Sequence, residues 1–185
     1  MPDPSHQSNA GTGALPAVAI VISRYNETVT DALLQGAIDL YLRRGGSRER
    51  LTIIQAPGAF ELPVMAAAPA GSGRFGAVVA LGCLIHGETR HDRYIASAVA
   101  DGLTRISIET RVPCAFGVIT AETSDHARAR SGGEKGNKGA EAMAAALDAA
   151  CVLRACGGDP EPGKSYAASV GPAPDKTEDQ TGERA

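Results

Sequence analysis

The sequence predicts a three-layer α/β/α sandwich in which helices cover both faces of a central four-stranded parallel sheet. Two observations lead to this prediction. Four short apolar runs, rich in β-branched or small residues, are typical of strands that are buried on both faces. Segments with helical spacing separate these runs, and strands that alternate with helices form parallel sheets through right-handed crossovers.

The first strand and helix set this pattern. Residues 17–22 form a continuous apolar run, and apolar residues at helical spacing follow from Val29 to Tyr41. Asn26 or Thr28 is expected to cap the start of this helix, and Gly45-Gly46 is expected to end it. This unit therefore predicts a buried strand followed by an amphipathic helix.

The remaining elements repeat the alternation. The other predicted strands span residues 51–54, 77–81 and 113–119. The other predicted helices begin near Pro63, Tyr94, Asp125 and Lys138, and they end near residues 69–73, Ile106, residues 131–133 and Leu153. The folded domain is therefore expected to span residues 16–156, with the polar, Pro- and Gly-rich segments 1–15 and 157–185 as flexible tails.

Composition narrows the class of protein. Of the 185 residues, 43% are hydrophobic, which is enough for one domain with its own core. A net charge of -3 and an aromatic content of 4% predict no nucleic-acid partner. No apolar run approaches the roughly 20 residues of a membrane span, and the N-terminus lacks signal-peptide features, so a soluble cytoplasmic protein is expected.

The cysteines are interpreted as reduced core thiols rather than metal ligands: Cys83, Cys114, Cys151 and Cys156.

The polar residues that could carry chemistry lie at the ends of the predicted strands. They lie in four stretches: Tyr25-Asn26, Gly58 to Glu61, Gly82 to His91, and Phe116 to Thr120. Ligands of open α/β sheets bind at the carboxyl ends of the strands, so these stretches should converge on one site. The stretch from Gly82 to Arg93 is the candidate active-site loop, and its turn at residues 87–89 is a candidate anion seat.

Each candidate also has a purely structural interpretation. Tyr25 could be an ordinary aromatic residue at the sheet edge, and Glu61 could be an acid in the first turn of a helix. His91 could cap a helix start, and the basic residues between 128 and 138 could form a solvated stretch. Only their convergence favours a small-molecule site with an aromatic plate, an acid, a histidine and an arginine. These residues alone do not identify a reaction.

Several motifs, taken together and in order, resemble the lumazine synthase family, the penultimate enzyme of riboflavin biosynthesis. The matching stretches are Ser23 to Glu27, Pro57 to Pro63, Gly82 to His91, Cys114 to Thr120, and Arg130 through Gly136-Asn-Lys-Gly139. The resemblance implies a flavodoxin-like fold. It also implies a transferase-type condensation of 5-amino-6-(D-ribitylamino)uracil with 3,4-dihydroxy-2-butanone 4-phosphate. The implied products are 6,7-dimethyl-8-ribityllumazine, phosphate and water, with no metal or organic cofactor.

The resemblance also assigns roles to individual residues. His91 is implied as the proton shuttle, and Glu88, Thr89 and Arg130 as phosphate ligands. The residues implied to hold the pyrimidine ring and the ribityl chain are Tyr25, Ala59, Phe60, Glu61, Cys83, Leu84, Ile85, Phe116 and Lys138. Phe116, Arg130 and Lys138 are expected to come from a neighbouring subunit. His86 stands where the family commonly has arginine, and it is interpreted as a surface residue.

The family sites lie between subunits of a pentamer, so a homopentamer is expected. Nothing is inserted before Gly136, which favours closure of twelve pentamers into a 60-subunit icosahedral shell. An association with riboflavin synthase is a further expectation.

Two other classes compete with this enzyme: a weakly catalytic flavin- or lumazine-binding scaffold, and a generic flavodoxin-like mononucleotide or phospho-signalling domain. The latter would need a glycine-rich or acidic loop after the first strand, and Ser23 to Asn26 provides neither.

Overall fold

A computed structural model of the chain describes residues 14–157. The segments predicted as flexible tails lie almost entirely outside these residues. Among the described residues, the helices are too short or too polar to cross a membrane.

Strands and helices alternate along the described chain. In order they are β1 (Val18–Ser23), α1 (Glu27–Arg43), β2 (Leu51–Ala56), α2 (Leu62–Gly71), β3 (Ala77–Ile85), α3 (His91–Thr110), β4 (Cys114–Ala121), α4 (Ser124–Ala129), β5 (Ser131–Gly133), β6 (Gly136–Asn137) and α5 (Lys138–Cys156). Strands β1 to β4 form one parallel sheet in the order β2-β1-β3-β4. The predicted four-stranded parallel sheet is therefore confirmed.

Helices cover both faces of the sheet. Alternate residues of each strand point to opposite faces, so each strand contributes to two separate cores. Ile20 of β1 packs in the core that lies beneath α1 and α5, which includes Leu33 and Met143. Its neighbour Val21 packs in the opposite core, beneath α2 and α3, with Leu62. These two cores confirm the three-layer α/β/α architecture.

Helix α1 ends as predicted but begins differently. Gly45 has φ 89°, and the N–H groups of Gly45 and Gly46 donate to the carbonyls of Leu42 and Tyr41, as in a Schellman motif. Asn26 precedes the helix in the left-handed region, with φ 59°, and its side chain does not cap it. Its Nδ2 instead donates to the Cys83 carbonyl at 2.9 Å, which links the ends of β1 and β3.

The prediction that a loop begins at Gly82 was wrong for its first four residues. Strand β3 continues to Ile85, because Gly82 to Ile85 pair in register with residues 118–121 of β4. The apolar character of Cys83, Leu84 and Ile85 also continues the preceding run. The exposed loop of the candidate site is shorter, from His86 to Arg90.

The sequence pattern did not predict the hairpin of β5 and β6. Gly132, with φ 121°, lies at the register shift between the Ser131–Asn137 and Gly133–Gly136 pairs, and Gly136, with φ 78°, is the first residue of β6. Asn137 then caps α5, since its Oδ1 accepts from the N–H groups of Gly139 and Ala140. Its Nδ2 donates to the carbonyls of Ala32 and Ser131, so one side chain connects the hairpin, α1 and α5.

The cysteines divide into two groups. Cys83 is buried and Cys114 is half-buried, whereas Cys151 and Cys156 are exposed on α5. The interpretation of all four as core thiols was therefore wrong for the last two, which lie on the solvent side of an alanine-rich helix.

The two ends of the described chain meet at the amino edge of the sheet. Pro16 and Gly157 line the same cavity of about 470 Å³, next to Pro113, which precedes β4. Arg154 Nη1 also lies 3.5 Å from the Ala14 carbonyl oxygen. The candidate site lies at the opposite, carboxyl edge.

Candidate active site

Tyr25 lies between two open clefts at the carboxyl edge of the sheet. The first cleft, of about 620 Å³, runs between the ends of β1 and β2, where Tyr25 faces Pro57, Gly58 and Glu61. The second cleft is also lined by Tyr25 and includes Ile85 at the end of β3. The aromatic ring is 70% exposed, so both clefts are open to a ligand that stacks on it.

Gly58 allows the ring and the acid of the first cleft to approach each other. A Cβ at this position would lie 2.9 Å from Glu61 Oε2 and 3.8 Å from Tyr25 Cδ2, so a side chain would collide with the carboxylate. Glu61 immediately precedes α2, but its side chain makes no capping hydrogen bond. Its carboxylate makes no capping contact and lines the same cleft as the Tyr25 ring, where it is an available hydrogen-bond acceptor. The structure brings together the predicted plate and acid.

Ala59 and Phe60 complete the connection between β2 and α2. Ala59 is buried in the core under α2 and α3, and its carbonyl accepts from the N–H of Leu62. Phe60 is exposed, with its ring outside that core. This short connection anchors Ala59 and leaves Phe60 and Glu61 free to contact a ligand.

The end of β3 contributes a wall rather than reactive side chains. The Cys83 side chain lies in the core beneath α1 and α5, and burial raises the pKa of its thiol to about 11. Its carbonyl already accepts from Asn26. Leu84 and Ile85 are half-buried, and Ile85 lines the second cleft. The backbone contacts expected of these three residues stay a prediction.

The loop after β3 carries the predicted histidine and anion seat. Glu88 and Thr89 are exposed in this loop, and His91 is the exposed first residue of the 20-residue helix α3. The positive end of the helix dipole is therefore at the predicted phosphate seat. His86 was interpreted as a plain surface residue, but its Nδ1 lies 3.2 Å from Asp92 Oδ1.

Arg130 and Lys138 lie at the base of the β5–β6 hairpin. The backbone N–H of Lys138 donates to the Arg130 carbonyl at 2.9 Å. Arg130 Nη1 donates to the His126 carbonyl at 3.0 Å, and Lys138 Nζ lies 2.5 Å from Glu141 Oε2. Neither residue lines the two clefts beside Tyr25. The single chain does not bring these bases to the aromatic plate.

Phe116 is also separated from Tyr25. It lies in the middle of the edge strand β4, in register with Ala80 and, through β3, with Val21. The predicted strand 113–119 contains Phe116, as β4 does, but β4 continues beyond the predicted end to Ala121. One strand separates β4 from β1, which corresponds to roughly 10 Å across the sheet. Phe116 is 43% exposed at this edge.

Sequence reasoning missed two residues of the second cleft, Ser124 and Arg128. A solvated basic stretch was one interpretation of Arg128. Its side chain is exposed and forms an ion pair with Asp125, and α4 places it in the same cleft as Tyr25. The available signal was Thr123, whose side chain accepts from the His126 N–H and starts α4 directly after β4.

The fold and these clefts define a class: an α/β protein with a small-molecule site at the carboxyl edge of a parallel sheet. The sequence model of a family described as 6,7-dimethyl-8-ribityllumazine synthase matches residues 16–154. A relative from Edwardsiella ictaluri (strain 93-146), named 6,7-dimethyl-8-ribityllumazine synthase, is 49% identical over 139 residues, covering 75% of this chain and 89% of the relative. The chain belongs to the 6,7-dimethyl-8-ribityllumazine synthase family.

Proposed function

We propose that this protein condenses 5-amino-6-(D-ribitylamino)uracil with 3,4-dihydroxy-2-butanone 4-phosphate to form 6,7-dimethyl-8-ribityllumazine in riboflavin biosynthesis. The observation that carries this proposal is the meeting of the Tyr25 ring and the Glu61 carboxylate over Gly58, in a chain of this family. A planar pyrimidine with hydroxyl and amine donors needs an aromatic face and an acceptor.

The reaction needs proton transfers more than strong nucleophiles. The 5-amino group attacks the ketone and an imine forms with loss of water, and phosphate is then eliminated. The ribitylamino nitrogen attacks the carbonyl that remains in the four-carbon chain and closes the second ring with loss of a second water. Each step moves a proton, and histidine is the side chain that ordinarily titrates near neutrality. His91, exposed at the start of α3, is assigned this transfer. Holding both substrates in register supplies a further part of the rate.

A second copy of the chain is proposed to complete the site. Phe116, Arg130 and Lys138 are separated from the Tyr25 clefts within one chain, as expected of residues that act on a neighbour's substrate. Large apolar side chains are also exposed on the α2–α3 side of the sheet, including Tyr94 and Ile108. Exposed apolar surface of this kind marks interaction sites. The proposed assembly is a homopentamer, and twelve pentamers are proposed to form a 60-subunit shell. Light scattering measures the size of the assembly in solution.

Steady-state kinetics test the two halves of this site. Arg130→Ala should mainly raise the Michaelis constant for the phosphorylated substrate, by about 10- to 100-fold, because a charge-assisted phosphate contact is lost. His91→Ala should mainly lower turnover, by about 100-fold or more. His126→Ala, at an exposed histidine on α4, is the matched control and should behave like the wild type. An unchanged Michaelis constant for Arg130→Ala would refute the phosphate assignment.

Mixing the two impaired variants tests the shared site. If Arg130 acts on a neighbour's His91, subunits of both variants assembled together form some interfaces with both residues intact. Random mixing in equal amounts should restore about one quarter of the wild-type sites. No recovery after verified mixing of the subunits would place both residues in one chain's site.

Product measurement separates this enzyme from the scaffold alternative. The purified protein is mixed with both substrates, and lumazine absorbance and phosphate release are followed. Binding of the pyrimidine without product would favour a weakly catalytic binding paralogue. A cytoplasmic location and an association with riboflavin synthase complete the proposal, and cell fractionation and co-sedimentation test them.

A further inference from the structure

His86 and Asp92 bracket the segment from Gly87 to His91. His86 Nδ1 lies 3.2 Å from Asp92 Oδ1, which joins the first residue after β3 to the first turn of α3. The backbone N–H of His86 also donates to the Ala121 carbonyl at 2.8 Å, at the end of β4. His86 is therefore attached both to the sheet and to the helix that the segment connects.

The pair lies in a cleft between α3 and β4 that also includes Arg93, Ser97, Thr120 and Glu122. The Asp92 side chain is 14% exposed and that of His86 is 44% exposed, so the carboxylate is the more shielded partner. Burial acts to raise the pKa of Asp92, but the hydrogen bond and charge of His86, together with backbone N–H groups, lower it overall. Asp92 is therefore held as a charged acceptor for His86.

The bracketed segment has few other attachments. Within residues 14–157, the side chains of Gly87 to His91 make no hydrogen bond and no ion pair, and all five residues are exposed. A Cβ at Gly87 would meet no atom within 4 Å. The position of this segment thus depends on its two ends, and the His86–Asp92 contact fixes the distance between them.

We propose that the His86–Asp92 pair is a clasp that positions the Gly87–His91 segment, and with it the proton-transfer group of His91 and the phosphate seat at Glu88 and Thr89. The inference rests on the proposed function for the roles of His91 and the seat. His86 itself touches no reacting atom in this scheme. It is a positioning residue that acts through the segment it closes.

His86→Ala should release the segment and misplace both groups. Turnover divided by the Michaelis constant for the phosphorylated substrate should fall about five-fold, the modest effect expected of a pair near the surface. The Michaelis constant for the pyrimidine, whose proposed contacts are at Tyr25 and Glu61, should stay at the wild-type value. A general loss of structure would instead affect both substrates.

His86→Arg and Asp92→Ala sharpen the test. Arginine supplies an N–H donor for Asp92, so His86→Arg should recover most of the lost activity. In the His86→Ala background, Asp92→Ala should have little further effect, because the clasp is already open. Arg105→Ala, which breaks an exposed ion pair with Glu109 further along the same helix, should leave both kinetic constants unchanged.

Amide hydrogen exchange measures the clasp independently of catalysis. Residues 87–91 should exchange faster in His86→Ala than in the wild type and should return to the wild-type rate in His86→Arg. If the wild type makes no product, the proposed function fails, while exchange still decides whether the pair fixes the segment. Wild-type exchange and wild-type kinetics in His86→Ala would overturn the inference.

Discussion

The two helical layers bury their large apolar side chains to different extents. Beneath α1 and α5, Leu33, Tyr41 and Met143 are fully buried, and the Tyr41 hydroxyl donates to the Pro16 carbonyl at 2.8 Å. On the other face, α2 and α3 expose large apolar side chains: Val64 is 69%, Tyr94 75% and Ile108 73% exposed. Within the described chain, the α1–α5 layer exposes one large apolar side chain, Leu153 at 43%, whereas the α2–α3 layer exposes a larger apolar surface of the kind that marks interaction sites.

The sequence explains the open layer. Helix α2 is rich in alanine, and α3 places Gly102 against it: a Cβ there would lie 2.7 Å from Pro63 Cβ. Small residues therefore contribute to the contact between α2 and α3, while Val64, Tyr94 and Ile108 are left exposed. The difference teaches that this face carries exposed apolar surface in addition to its contact with the sheet.

The largest expected difference between the layers comes from truncating matched apolar residues. Leu33→Ala should lower the free energy of unfolding by about 4 kcal/mol, because it removes a fully buried side chain and leaves a cavity. Ile108→Ala should change the stability of the separated chain by less than about 0.5 kcal/mol, since the side chain is exposed. Urea titrations at several protein concentrations measure both effects.

The dependence of each stability loss on protein concentration shows whether the truncated side chain packs within its own chain or against another copy. The loss in Leu33→Ala should be the same at every protein concentration, whereas any loss in Ile108→Ala should appear only where copies associate. A large loss in Ile108→Ala at high dilution would show that α3 packs within its own chain, against the contrast drawn here.

A somewhat smaller loss of stability is expected from Gly139→Ala, and Gly71→Ala is its control. Gly139→Ala should cost about 3 kcal/mol, because its Cβ would lie 2.0 Å from the Leu33 carbonyl oxygen, where α5 meets α1. Gly71→Ala, at the end of α2, meets no atom within 4 Å and should be neutral or stabilising by about 0.5 kcal/mol. Thermal and urea unfolding would test the pair; a harmless Gly139→Ala would mean that the α1–α5 contact can yield.

The smallest expected effect is alkaline destabilisation through Cys83, whose side chain lies under the α1–α5 layer. Burial raises its pKa from 9.0 to about 11, so the unfolded chain ionises first as the pH rises. The neutral thiol's contribution to the free energy of unfolding is complete below pH 9.0. It is lost progressively up to about pH 11, and the loss amounts to about 2 to 3 kcal/mol.

Unfolding measured across this pH range in reducing buffer checks that prediction. Cys83→Ala should show a flatter decline than the wild type, whereas Cys151→Ala, at an exposed position, should reproduce the wild-type decline. Cys114, under the α2–α3 layer, provides the comparison, since burial also raises its pKa while the Ser107 hydroxyl opposes the shift. Parallel declines in the wild type and Cys83→Ala would exclude this thiol as the cause.

The fold was predictable because strand and helix periods are local signals. The predicted first strand differs from β1 by one residue at each end, and α5 begins at Lys138 as predicted. The extension of β3 to Ile85 was missed because the polar groups that follow Gly82 suggested a loop. The β5–β6 hairpin was missed because its two-residue strand carries no periodicity.

The site was only partly predictable, since its geometry depends on contacts between distant segments. Strand-end reasoning placed Tyr25 and Glu61 together, and the structure brings them to Gly58. Arg128 was missed because a basic side chain on a short helix gives no sign of which cleft it faces. The pairing of His86 with Asp92 was also missed, because a spacing of six residues across a loop and a helix start has no regular pattern.

The meeting of residues 14 and 157 at the amino edge has a consequence for rearranging the chain. Segments whose ends adjoin can be circularly permuted with little disturbance to their packing. A short linker could join Gly157 to Ala14, and new ends could open at the turn of Gly45 and Gly46. Such a permuted chain would keep every strand pairing, and it would move its ends to the link between α1 and β2.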